Sequence, residues 1–154
     1  MTPGSNYAWQ PEKKGVVKSP APTGRQRYLE ECASCHLENG RGISGKYPPL
    51  IGSVWVTGPS NRLTLLVLDG VRGEYAAGGA RYGGVMPAYR TVLPPAYTAA
   101  VLTYLRQAWG NAAPAILAPY VQKLFYQHPA RPDFWSWKEL EALAPDTDAK
   151  GSAP

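Results

Sequence analysis

The sequence predicts an all-α fold assembled from short helices. Three observations predict it. Apolar residues recur at helical spacing in several segments, most clearly in "PPAYTAAVLTYLRQAWGN" at 94–111. Strand-like alternation is nearly absent, with "SVWVT" at 53–57 as the one short candidate. Finally, 16 glycines and 16 prolines among 154 residues cut the chain into short pieces joined by loops. Hydrophobic residues make up 44 %, enough for the modest core of one domain with extensions.

The elements follow in order. Residues 1–22 read as an extended N-terminal segment, with Tyr7 and Trp9 as anchors. Thr23 with Gln26 forms a capping box, which opens a helix at Gly24. Ser60 is the expected N-cap of "NRLTLLVLDG"; Leu63, Leu66 and Val67 share a face and Gly70 stops the helix. Pro94 or Pro95 suits the first turn of the strongest helix. Val101, Leu102 and Leu105, with Ala108 or Trp109, supply its apolar stripe, and Gly110 ends it. In "PYVQKLFYQH", Tyr120, Val121, Leu124 and Phe125 share a face, and the helix stops before Pro129. "SWKEL" at 136–140 is a second capping box, Ser136 with Glu139, and Trp135 and Leu140 are placed as its hydrophobic staple. Phe134, Trp135 and Trp137 are expected to pack back onto the body; docking on a larger partner is the alternative. The expected organisation is an N-terminal segment 1–22, a domain 23–110, a helical extension 111–143 and a flexible tail 144–154.

The net charge of +5 is unevenly spread, since Asp133, Glu139, Glu141, Asp146 and Asp148 outnumber Lys138 and Lys150 near the C-terminus. No Lys/Arg block exceeds the Lys13–Lys14 pair, so nucleic acid is not an expected partner. No apolar run approaches the roughly 18 residues of a transmembrane helix. The opening "MTPGSNYAWQPEKKG" lacks the apolar stretch of a signal peptide.

The chemistry concentrates in "ECASCHLENG" at 31–40. Zinc, a redox dithiol and covalent haem all use a C-x-x-C spacing. A closed zinc site needs about four ligands, and Cys32, Cys35, His36 and His128 are the whole supply of Cys and His. A dithiol motif belongs near a βαβ pattern, which these flanks lack, and a plain disulfide leaves the histidine without a purpose. C-x-x-C-H is also the attachment motif of c-type haem: two thiols join the vinyl groups and His36 is carried beneath the ring to the iron.

That reading requires a second axial ligand. Met86 lies in "RYGGVMPAYR", where two glycines and a proline give a loop able to approach a flat ring closely. A lone methionine is ordinarily core filler. As a soft thioether ligand it would favour the ferrous state and raise the reduction potential. His128, beside Pro129, is the competitor and reads better as a helix-end residue.

Residues from about Gly24 to Gly110 resemble a class I cytochrome c domain. "CASCH" at 32–36 matches the haem-binding motif and "GGVMP" at 83–87 the distal methionine loop. Gly24 and Tyr28 match the N-terminal helix, and Tyr104 the aromatic of the C-terminal helix. "YPPLIG" at 47–52 matches the loop after the haem motif. The resemblance is nearest to cytochrome c domains associated with bacterial periplasmic dehydrogenases. It implies a small cytochrome c fold around one covalently attached heme c, bound through Cys32 and Cys35, with His36 and Met86 as iron ligands. It implies crossed terminal helices with close approach at Gly24, and a Pro48 carbonyl that accepts a hydrogen bond from His36. Leu50, Trp55 and Tyr82 are further expected pocket residues. Arg62, Arg72 and Arg81 are candidates for neutralising the propionates.

The expected function is single-electron transfer between a periplasmic redox partner and the respiratory chain. Dehydrogenases, terminal oxidases and other cytochromes are the expected redox partners. The chain would serve as a subunit or dedicated partner, associating with a membrane complex without a transmembrane helix of its own. No catalytic residue is expected. The alternative is a haem enzyme or gas sensor whose distal methionine leaves readily. Covalent haem also implies a periplasmic location, although the export signal is absent from this sequence.

Overall fold

The computed structural model describes residues 21–146. The expected anchors Tyr7 and Trp9 lie outside them. Seven helices are the main elements of the described chain: α1 (Gly24–Glu31), α2 (Ala33–His36), α3 (Val54–Thr57), α4 (Ser60–Asp69), α5 (Pro95–Gln107), α6 (Ala118–Gln127) and α7 (Trp137–Ala142). Five short strands stand beside them: β1 (Val71–Arg72), β2 (Tyr75–Ala77), β3 (Ala80–Tyr82), β4 (Val85–Met86) and β5 (Trp135–Ser136). The expectation of an all-α chain is therefore met by its helices and corrected by its loops. "SVWVT", the expected strand candidate, is the helical turn α3. The strands fall where glycines interrupt helical spacing, and two or three residues are too few for alternation to register in sequence.

The local rules hold at most helix ends. Thr23 and Gln26 form the capping box of α1, and Ser136 and Glu139 that of α7. The N-cap of α4 is Pro59, one residue before the expected Ser60, whose buried side chain starts the helix instead. Gly70 ends α4 at φ 74°, a left-handed conformation that glycine adopts freely. Pro94 caps α5 and Pro95 opens it, but the helix stops at Gln107. Ala108 and Trp109 therefore lie beyond it, and Trp109 (φ 54°) folds back instead of extending the stripe.

Packing joins these pieces into one core. Helices α1 and α5 cross at Gly24, where a Cβ would lie 2.1 Å from the Ala100 carbonyl oxygen. Tyr28, fully buried, meets Tyr104 and Trp109 with ring centroids 5.4 and 5.1 Å away. Helix α6 packs on α5 through buried Val121 and Leu124, with Tyr120 and Phe125 against the same core. Trp135 and Leu140 are buried in that core as well. The start of the expected tail is held: Asn61 donates to the Ala144 carbonyl at 2.7 Å, and Tyr120 bonds Asp146. A three-stranded sheet in the order β4-β1-β5 joins the Met86 loop to the C-terminal extension, with Val71 opposite both Met86 and Trp135.

Candidate haem-binding site

The proximal side is built by a helix break. Cys32 ends α1 and precedes α2, and its carbonyl accepts from the amides of both Cys35 and His36. Leu37 stops α2 at φ 62°, and the Tyr28 hydroxyl donates to its carbonyl at 2.5 Å. His36 is only 9 % exposed. Its Nδ1–H donates to the Pro48 carbonyl at 2.9 Å, as the resemblance implies, which leaves Nε2 as the lone-pair nitrogen. Burial holds the imidazole pKa below its ordinary value, against the smaller opposing pull of that hydrogen bond. The ring is therefore kept in the neutral form that binds metals.

Contacts from both directions fix the loop carrying Pro48. The Leu50 amide donates to Gly40 at 2.8 Å. Asn111 accepts from the Gly52 amide at 2.9 Å and donates to the Leu50 carbonyl at 3.1 Å. At Gly42 (φ +62°) a Cβ would come 2.2 Å from the Tyr47 oxygen and 2.7 Å from that of Pro48. Only glycine lets the loop close over the histidine.

On the distal side Met86, half-buried, sits in β4 opposite Val71. Tyr89 follows three residues later. Its amide donates to Val67 and its hydroxyl to the Glu31 carbonyl at 2.9 Å, beside Cys32.

Between these sides lie two adjoining cavities, about 60 and 360 Å³. The larger is within the usual range of small-molecule sites. Cys32, His36, Pro48, Met86, Tyr89 and Trp137 line both, so the two are parts of one slot. Leu50 and Trp55 line its inner part; Cys35 and Tyr82 line its outer part. All eight residues expected at the site therefore border one space. Burial pushes the Cys32 thiol up to about 12, with Glu31 and Cys35 adding to the effect. That is the reverse of the lowered value that favours dithiol exchange. Among the described residues, no three Cys, His, Asp or Glu side chains converge as a metal cluster. A neutral imidazole, a thioether, two thiols and an apolar lining do fit a haem.

Sequence reasoning missed Trp137 and Tyr75 as slot residues. Trp137 stacks on Tyr75 at 4.7 Å between centroids and lies 4.9 Å from Trp55. Its indole N–H donates to the Gly73 carbonyl. The aromatic cluster "DFWSW" was the available signal, and its third ring forms a wall of the slot. The arginines proposed for propionates are engaged elsewhere. Arg62 donates to the Glu141 and Leu143 carbonyls, Arg72 pairs with Asp133, and Arg81 with Glu74. None of the three lines the slot, and neither does His128, the C-cap of α6.

Residues 19–105 match the family model described as cytochrome C oxidase, cbb3-type, subunit III. Cytochrome c-552 of Thermus thermophilus is 40 % identical over 86 residues, covering 53 % of this chain and 65 % of that protein. The cytochrome c subunit of a quinone alcohol dehydrogenase from Gluconobacter oxydans is 31 % identical over 104 residues, 66 % of this chain and 21 % of the subunit. The gluconate 2-dehydrogenase cytochrome c subunit of Pantoea cypripedii is 29 % identical over 99 residues, 60 % of this chain and 21 % of the subunit. The chain thus spans under two thirds of the length of each of these relatives. No helix among the described residues is long and apolar enough to cross a membrane.

Proposed function

The chain belongs to the cytochrome c family, whose members carry covalent heme c, and from that premise we propose that it is a mono-haem carrier of single electrons. Cys32 and Cys35 would hold the haem through thioether bonds, and His36 and Met86 would be the iron ligands. The bound haem supplies the Fe(III)/Fe(II) couple. The residues around it set how that couple behaves. Pro48 orients the imidazole, and Leu50, Trp55 and Trp137 exclude water from the slot. Tyr82 packs at its outer edge. Two protein ligands on the iron would favour electron transfer over catalysis, because they would leave no coordination site for a substrate.

One observation carries this reading: the imidazole, the thioether and both cysteines border a single slot. The donor and acceptor are other redox proteins. The dehydrogenase-subunit relatives favour a subunit or dedicated partner of a dehydrogenase or oxidase complex in the bacterial periplasm. The test is the visible spectrum of protein purified from its native source. A Soret band that survives acid-acetone extraction, with a sulfur-to-iron charge-transfer band in the far red, is expected. Haem lost on extraction would refute covalent attachment. Ready CO binding without the far-red band would favour an enzyme or gas sensor. Proteins that accompany it through purification would identify the complex.

A further inference from the structure

We propose that the buried Arg90–Asp69 pair is the positioning device that holds the Met86 loop in place, and that it couples this loop to helix α6. The proposal rests on Met86 being the second iron ligand. The loop has little hold of its own. Gly83 and Gly84 precede the two-residue strand β4, and Pro87 behind it has no amide to donate. Beyond the short pairing of β4 with β1, the anchorage comes from the residues that follow. The amides of Tyr89 and Arg90 donate to Val67 and Leu68, both at 3.0 Å. The Arg90 guanidinium then takes Asp69, the last residue of α4, by a two-pronged contact: Nε to Oδ1 and Nη2 to Oδ2, each 2.8 Å. Its remaining Nη1 donates to the Phe125 carbonyl of α6 at 3.0 Å, and its Cζ lies 4.8 Å from the Phe125 ring centroid. The two side chains are 8 % and 5 % exposed.

Stability alone does not explain this arrangement. Desolvation of both charges offsets much of their attraction, so apolar side chains of similar volume often serve as well. What the fork adds is direction, because a planar guanidinium accepts one orientation of the carboxylate. Here that orientation fixes the backbone four residues after Met86. Arg90 is a positioning residue: it acts on the iron through the fraction of time the thioether is in place. An external ligand must wait for the remaining fraction, so its apparent affinity reports the clamp.

The test compares holoproteins carrying Arg90→Met, Arg90→Lys and Asp69→Asn with Arg25→Gln, which alters an exposed pair. Haem stoichiometry, the far-red band, the reduction potential and CO binding to the reduced form are measured. CO binding about tenfold faster in Arg90→Met is expected, with a weaker band and lower potential. Arg90→Lys should fall between, and Arg25→Gln should match the native protein. A native-like band and CO rate in folded Arg90→Met and Asp69→Asn overturn the clamp alone. Absence of the band from the native protein overturns the Met86 assignment, and the clamp with it. Hydrogen exchange in the native holoprotein decides the matter even if the variants misfold. The Tyr89 and Arg90 amides should exchange as slowly as the last turn of α4. Exchange as fast as the β2–β3 hairpin overturns the proposal.

Discussion

The two sides of the slot are held by different kinds of contact. On the proximal side, His36 meets Pro48 twelve residues away, and Tyr28 reaches Leu37 nine residues away. On the distal side, Met86 depends on α4, on α6 and on a sheet whose far strand is in the C-terminal extension. The proximal contacts to the histidine are local, and Asn111 braces the loop that carries Pro48. The distal side is a convergence of segments far apart in the chain. Disturbances of α6, β5 or α7 should therefore reach the methionine before they reach the histidine.

Breaking the proximal side should have the largest effect. Cys35→Ala leaves at most one thioether link, and haem-stained denaturing gels should show the loss of most covalent haem. Met86→Ala strikes the distal side instead. Haem should remain attached while the potential falls and CO binds the reduced form; redox titration and CO spectra check this. An unchanged potential would show that another residue is the ligand. Gly24→Val tests the helix crossing behind the proximal motif. Its Cβ would meet the Ala100 carbonyl, and a loss of about 1–3 kcal/mol is expected in denaturant unfolding. Trp137→Ala removes a half-buried distal wall that the extension supplies. A loss of about 2 kcal/mol is expected with a lower potential, since water gains access to the slot. Were the potential unchanged, the extension would have no part in the distal side. The smallest effect belongs to Arg25→Ala, whose pair with Glu38 is exposed on both sides. Thermal unfolding should register about 0.5 kcal/mol or less.

This contrast also explains what the sequence made legible. "CASCH" could be placed because spacing and residue type determine local geometry, and both capping boxes were visible for the same reason. Pro48 and the Gly24/Tyr104 crossing followed instead from the resemblance to the cytochrome c family. Trp137 was legible only as an aromatic, because its place opposite Tyr75 depends on a β1–β5 pairing between segments more than sixty residues apart. The arginines failed for a related reason. A guanidinium at the end of a long side chain finds whichever acceptor the fold brings near, and for Arg62 those were carbonyls of the extension. Arg90 carried no local signal for its role, since Asp69 and Phe125 lie on other elements.

The strand Val71–Arg72 has one further consequence, for the edges of the sheet. It pairs antiparallel with Val85–Met86 on one side and parallel with Trp135–Ser136 on the other. Without the second partner, one side of the strand would present unpaired amides and carbonyls, a template for another chain. Pairing with Trp135–Ser136 covers that edge, so the extension leaves the strand no free side on which to add another chain.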